Sequence, residues 1–467
     1  MKTTVGSITP AILVVTGTFL VVIYGLLFAL NLQLDFSHRQ VSSEQALHIA
    51  EAGVNYYRWH LAHDPTDFQD GTGAEGPYLH EYVDPQGDAV GAYSLEISPP
   101  TAGVSTVTIE STGWTYLHPK VTRTVVVEYG ISPLTSYVFL QNASSWYASG
   151  ITVNGPIHSN NGIRMDGTNT SLVTSAKEEY KCGTETGCHP PEDKPGVWGS
   201  GGDQGLWQFP VPAIDFDSVT SDFTQIKEEA QSTGLHLNNS GHGNEGYHLQ
   251  FLSDGSVKVY LVERTSFVRG YSVPGHGLGA EGVGGCRKLY QIIEDESLIG
   301  TYDLVDTQII FIEDTVWVEG TVQGNVTVAA AQFPVYSKET NIWIKDNLIY
   351  TTYDGSDSLG LISQDSIFFA RDLPEDFRID AALMAQGGKI IRHGYLSWCG
   401  NSPEAIKDKL TIYGSLVSYY NSYWNFGAGP ESGFIEREII FDPNLIVNPP
   451  PYFSTSGEYE FISWEEQ

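Results

Sequence analysis

The sequence predicts a mainly β protein that opens on a long N-terminal α-helix, continues through a small α+β unit, and ends in a right-handed parallel β-solenoid carrying an insertion. The N-terminus supplies an uncharged apolar run, Ala11 to Leu30, followed by helical periodicity. The rest of the chain is rich in Gly (49) and Tyr (26), with short apolar segments set between turn residues, the texture of a β protein. With 24 Lys+Arg against 56 Asp+Glu, the net charge of −32 excludes nucleic acid as a partner, since binding there needs cations to displace counterions. It also excludes docking on anionic lipid through basic patches. Aromatic residues make up 12% of the chain, which separates it from a disordered acidic tail.

Residues 1–34 read as a cytoplasmic leader and transmembrane helix. The twenty residues AILVVTGTFLVVIYGLLFAL rise by about 30 Å as a helix, the thickness of a bilayer's hydrocarbon core. A cleaved secretory signal would have a shorter apolar stretch and a small-x-small cleavage site, and Phe28-Ala29-Leu30-Asn31 offers none. A buried core helix would need a polar face or an enclosing core. Lys2 lies on the short side of the span, so the leader is expected in the cytoplasm and the acidic bulk beyond the membrane. Residues 35–63 continue the helix in amphipathic form. Phe36, Gln40, Ser43, Leu47, Ala50, Val54, Tyr57 and Leu61 recur at steps of four and three, one face of a helix. Leu47, Ala50, Val54, Tyr57 and Leu61 are the expected packing residues. Pro65 ends the run.

The segment Ser43-Glu44-Gln45-Ala46-Leu47-His48-Ile49-Ala50-Glu51-Ala52-Gly53-Val54-Asn55-Tyr56-Tyr57, placed after an N-terminal span, resembles the "AEAG" helix of PilX-like type IV pilus assembly proteins, the minor pilins. Alone, Glu51-Ala52-Gly53 reads equally as a surface helix turn that tolerates a glycine. The strands beyond it, Gly91–Ile97, Val107–Gly113 and Arg123–Glu128, are similar to those after that helix in the same family. The resemblance covers residues 1–130 and implies a structural role among other pilin-like subunits. It also implies a prepilin-type cleavage between Gly6 and Ser7. The chain departs from the family pattern there, because the fifth position after Gly6 is Ala11 rather than Glu.

Residues 64–132 form the expected pilin-like α+β unit: a loop rich in Asp, Gly and Pro, then strand-like alternation at Tyr93–Ile97, Thr106–Glu110 and Val121–Tyr129. Residues 133–169 and 301–447 carry Gly-apolar-x-apolar texture, as in Gly150-Ile151-Thr152-Val153-Asn154-Gly155 and Gly320-Thr321-Val322-Gln323-Gly324-Asn325-Val326, and read as two parts of a β-solenoid. An irregular β-sandwich is the alternative. Asn154–Asn161 also resembles coil sequences joined to PilX-type anchors. Residues 170–300 read as an insertion, with a helical piece at Asp217–Ser232, a hairpin at Tyr247–Phe251 and Val257–Val262, and a glycine-rich loop at Gly275–Gly285. That loop has no Lys-Ser/Thr and no strand–helix frame, so it is not a phosphate loop. Residues 448–467 form a Pro-led acidic tail expected along the surface or frayed.

Cys182, Cys188, Cys286 and Cys399 lie on the side expected outside the cytoplasm, where disulfides persist. Cys182 with Cys188, and Cys286 with Cys399, is one of three possible pairings. A zinc site on Cys182, Cys188 and His189 is the rival, with spacing unlike common zinc sites. The acidic pairs Asp354/Asp357, Asp372/Asp376 and Asp215/Asp217 invite glycosidic cleavage or Ca²⁺ binding, against solvated turn carboxylates. Tyr395, Trp398, Tyr413, Tyr419, Tyr420, Tyr423, Trp424 and Phe426 could form a sugar- or partner-binding strip, or stack inside the fold. His158 and His393 lack sequence partners and read as structural. No nucleophile or metalloprotease frame is present.

The expectation is therefore a non-enzymatic, cofactor-free structural protein. It would be single-pass in the cytoplasmic membrane, or pilus-associated at the cell surface, with its bulk extracytoplasmic. Its partners would be the membrane, other pilin-like subunits and a surface glycan or protein ligand, for adhesion or assembly priming. The alternatives are a membrane-anchored polysaccharide-binding or polysaccharide-cleaving solenoid and a self-polymerising scaffold of bactofilin type.

Overall fold

The structure, a computed structural model, describes residues 9–64, 67–99, 106–216, 222–273, 285–335, 339–400, 405–426, 431–453 and 455–467. Gly6 and Ser7, Asp217 and most of the glycine-rich loop lie outside the described residues. The chain divides into two compact units, one of Met1–Pro100, Thr106–Gly130 and Phe461–Gln467, the other of Thr101–Ser105 and Ile131–Glu460.

In the first unit, α1 (Thr9–His63) runs unbroken for 55 residues, about 80 Å at 1.5 Å per residue. Every side chain from 12 to 41 is exposed. This is the one helix among the described residues long and apolar enough to cross a membrane. Beyond it, α1 packs on an antiparallel sheet of β1 (Tyr78–Val83), β2 (Ala89–Ser98), β3 (Thr106–Thr115) and β4 (Thr122–Pro133). The alternation of β3 places Val107, Ile109, Ser111 and Gly113 toward the core, as period two requires for a sheet covered on one face. Ile49, Ala50, Val54, Tyr57 and Leu61 bury against Leu95, Ile109, Val125 and Val127. Each large aliphatic buried in this way contributes about 1.5–3 kcal/mol relative to exposure.

Three expectations about this unit change. The first part of the stripe, Phe36, Gln40 and Ser43, is out of phase, whereas Leu47 packs at the edge of the core. Phe36 is exposed, Leu47 is half-buried, and Ser42, Ala46 and Ile49 take the inner face. Gly53 is not on a surface turn but buried: a Cβ there would meet the Ser111 hydroxyl and lie 2.7 Å from the Tyr93 ring. The acidic tail neither frays nor lies loose, because Thr455–Glu466 becomes a fifth strand beside β4. Gln467 N–H donates to Thr124 O at 2.9 Å, and Glu466 pairs with Arg123.

In the second unit, short strands pair in parallel with strands one or more elements away, and three ladders result. Along one, registered positions run Leu235, Ile310, Val328, Leu361, Leu383, Leu416, Phe139, Ile157, Val173 and Trp207. A second runs Tyr247, Val316, Ile342, Ile367 and Ile390. A third runs Leu348, Ile379, Ile412, Ile439 and Val153. These columns face one continuous apolar core, so each strand supplies a few residues and the stack supplies the burial.

The order of stacking departs from the order of the chain. The strands Phe139–Gln141 and Thr152–Asn154 pair with Ile406–Ser418 and Gly433–Phe441, the last of the second stretch. The start of the first β stretch thus sits on the end of the second. The segment 170–300 does not stand apart from the ladders. Val173–Ser175 and Val197–Trp198 pair in parallel with strands of the first stretch, and Leu235–Leu237 and Gly246–Leu252 with strands of the second. The hairpin of Gly246–Leu252 and Ser256–Ser272 extends through a long antiparallel partner, Gly285–Asp303. Helix Asp222–Ser232 covers a second apolar cluster on the outer face, where Phe223, Ile226 and Ala230 meet Phe311, Ala329 and Ile362.

Candidate functional site

The stacking order builds a cavity of about 670 Å³ in the second unit. Two segments far apart in sequence line it: 143–148 from the first β stretch and Tyr420–Phe426 from between the last two strands of the second. They meet because Phe139–Gln141 registers on Leu416–Ser418. Phe139 and Trp424 stack at 6.5 Å between ring centroids, and Phe139 meets Tyr147 edge-on at 5.2 Å, arrangements favoured by the ring quadrupoles. Tyr423 and Phe426 meet edge-on at 5.6 Å.

Arg437 continues a core column: Phe377 registers on Leu410, and Leu410 on Arg437, two fully buried residues followed by a half-buried cation. Its neighbours Glu436 and Glu438 face outward, and Glu438 pairs with Lys409 at 2.7 Å. The Arg437 Nε is buried with no hydrogen-bond partner, and desolvation pushes the guanidinium pKa down. No carboxylate pairs with it among the described residues. The Gln141 side chain, 2% exposed, also lines the cavity with its Oε1 unsatisfied. Buried polar groups are nearly always paired, so Gln141 Oε1 and Arg437 Nε are left to solvent or a ligand.

The rim is set by a disulfide. Cys182 and Cys188 are bonded, with Cα atoms 5.6 Å apart, and the turn between them, Thr184–Thr186, brings Thr184 and Glu185 to the cavity. Arg164 lies 4.3 Å from the centroid of Trp146 and 5.0 Å from that of Trp198, and bonds Asp166 at 2.7 Å. Cys286 and Cys399 form the second disulfide. With all four cysteines bridged, the zinc alternative at Cys182, Cys188 and His189 falls, since a disulfide sulfur is no thiolate ligand.

Of the aromatic strip read from the sequence, Tyr420, Tyr423, Trp424 and Phe426 line the cavity and the other four do not. Tyr395 is fully buried and shares a hydrogen bond with Gln291, Tyr413 donates to Asp442 at 2.9 Å, Tyr419 packs on the outer apolar cluster, and Trp398 is exposed. Sequence reasoning missed Phe139, Trp146, Tyr147 and Arg437. The one legible signal was Arg437 itself, a charge on the apolar phase of Phe434-Ile435-Glu436-Arg437-Glu438-Ile439.

Asp354 and Asp357 flank one turn, Asp376 opens a strand, and Asp217 lies outside the described residues. Asp354 accepts from Ser356 N at 3.0 Å and Ser356 Oγ at 2.6 Å, bonds that hold its pKa down. Asp357 accepts from Gly324 N and Thr352 N, both at 2.7 Å, and these bonds outweigh the cost of burial and hold its pKa low. Asp372 lies 3.7 Å from Arg371. Among the described residues, no group of three or more His, Cys, Asp or Glu could hold a metal ion. His158 is buried and bonds Thr174 at 2.9 Å and Asn160 at 3.1 Å, with burial pushing its pKa down; His393 is fully buried beside Trp343 and Phe368.

No protein-family model matches the chain, and no curated protein sequence matches it. A solved structure that the chain matches is the competence-associated pilin ComZ from Thermus thermophilus, at a TM-score of 0.30 and 14% identity, over 91% of this chain and 97% of that one.

Proposed function

We propose that the chain is a single-span, membrane-anchored structural component of a type IV pilus-like apparatus. In this reading it is a PilX-like minor pilin that displays a β-rich head for adhesion or assembly priming. The observation that carries it is α1: exposed from residue 12 to 41 and apolar from Ala11 to Leu30, then packed on an antiparallel sheet without a break. An exposed apolar face of this size needs lipid or like helices around it. The close glycine contact at Gly53 gives the AEAG resemblance a physical reason. The two disulfides favour the extracytoplasmic side for the bulk of the chain. We read the three parallel ladders as faces of successive coils of a right-handed β-solenoid, whose end is closed by the returning first stretch.

The test is N-terminal sequencing of the membrane-associated protein, together with cross-linking from Leu26→Cys. A start at Ser7 and adducts to other pilin-like subunits are expected. A start beyond residue 30 overturns the anchor, and an intact span that cross-links to no subunit overturns the assembly role.

A further inference from the structure

We infer that the cavity between Tyr147, Trp424 and Arg437 binds an acidic saccharide, with a carboxylate on Arg437 and sugar ring faces against the aromatic walls. The inference rests on the proposed display of the β-rich unit outside the cell, and it concerns what that unit holds. Arg437 carries the argument. Its place in the Phe377–Leu410 column is one that an apolar side chain would fill. A half-buried cation without a counter-charge there carries a desolvation cost, and Arg437 lines the cavity. A planar guanidinium with free donors matches a carboxylate in two parallel hydrogen bonds. Gln141 Oε1, likewise buried and unpaired, needs a donor, which a sugar hydroxyl supplies.

The walls select the rest of the ligand. The C–H bonds on a pyranose face lie against the negative faces of aromatic rings, and Trp424, Tyr147 and Tyr423 present such rings. The volume of about 670 Å³ is that of a small-molecule site rather than a peptide groove. Arg437 and Lys389, with Glu185 at the rim, leave the lining one net positive charge, which suits an anion of low charge. A neutral sugar would leave the half-buried Arg437 guanidinium without an anionic partner.

The experiment titrates the purified full chain, in a polyoxyethylene detergent free of sugar head groups, and follows the fluorescence of Trp146 and Trp424. The probes are digalacturonate, its dimethyl ester, sialyllactose and an N-acetylated tetraglutamate peptide. At least one acidic saccharide is expected to bind, with digalacturonate at least tenfold tighter than its ester if digalacturonate is the one held. Arg437→Leu should abolish binding of the acid and raise the melting temperature, because leucine continues the apolar column. Arg437→Gln, which keeps a polar group, should weaken the acid at least tenfold and leave the ester unchanged. The inference is overturned if neither acidic saccharide binds, if acid and ester bind alike, or if the glutamate peptide binds as tightly as the sugars. It is also overturned if Arg437→Leu melts lower than the parent, which would make the arginine a structural group. These outcomes are independent of where the mature chain starts, so failure here and failure of the anchor are told apart.

Discussion

At the residue scale, glycine decides how closely α1 approaches its sheet. On β3, a Cβ at Gly113 would meet Ala46 O and lie 2.5 Å from Ala50 N, both helix backbone. On β2, a Cβ at Gly91 would lie 2.6 Å from Ile49 Cδ1. The helix can therefore sit on the strands only while those positions lack side chains. Backbone cannot rotate aside as a flexible side chain can. Gly113→Val is expected to cost about 3 kcal/mol or more, the upper end of overpacking, because relief requires lifting Ile49, Val54 and Tyr57 from the core. Gly25→Ala, with nothing within 4 Å, should leave the same transition unchanged. Calorimetry of the two variants checks this, and equal melting temperatures would refute the close-contact account. Gly53 stood in the sequence as part of a motif, but its reason did not. Spacing along a helix marks which residues share a face, whereas only the opposite strand shows which of them must be small.

At the element scale, the sequence was legible wherever an element makes its own signal. Apolar pairs at Gln308–Glu313 and Thr315–Glu319 mark the strands Ile309–Ile312 and Val316–Val322, because a buried strand needs only a few β-branched residues between turns. The pairing of those strands was not legible, since parallel ladders join residues as near in sequence as Ile310 and Val328 and as far as Phe139 and Leu416, and no local pattern encodes the partner. The two disulfides illustrate the difference in reach. Cys182–Cys188 spans 6 residues and Cys286–Cys399 spans 113. On the chain-entropy account, closing the long loop restricts the unfolded chain by about 5 kcal/mol and the short one by about 2 kcal/mol. The double substitution Cys286→Ala/Cys399→Ala should therefore lower the stability of the second unit more than Cys182→Ala/Cys188→Ala does. The short-loop variant should instead act on the cavity, loosening the turn that carries Glu185. Denaturant melts rank the two, and a larger loss from the short-loop pair would sink the entropic reading.

At the scale of the whole molecule, the net charge of −32 acquires an address: residues 1–34 carry only Lys2, so the acid belongs to the chain beyond the apolar span. The sequence showed that division but not the return of the chain end. Thr455–Glu466 carries Tyr459, Phe461, Ile462 and Trp464 among its acids, β-favouring residues hidden behind Asn448-Pro449-Pro450-Pro451. Its pairing covers the open edge of β4, and Phe461 packs on Tyr129 at 5.3 Å, with Arg58 of α1 over its ring at 5.4 Å. An unpaired β4 would present free N–H and C=O groups, a template for joining another chain. Truncation after residue 454 is therefore expected to lower the melting transition of the helix–sheet unit and to promote association. The transition of the ladder-built unit, whose columns run through residues 139–441, should stay in place. Calorimetry with sedimentation at matched concentrations reads both effects. A single transition shifting as a whole, or a truncated chain as stable and monodisperse as the full one, would show that the last strand merely decorates the sheet. Movement of one transition alone would make the two ends of the chain partners in one small domain, folded apart from the long stack between them.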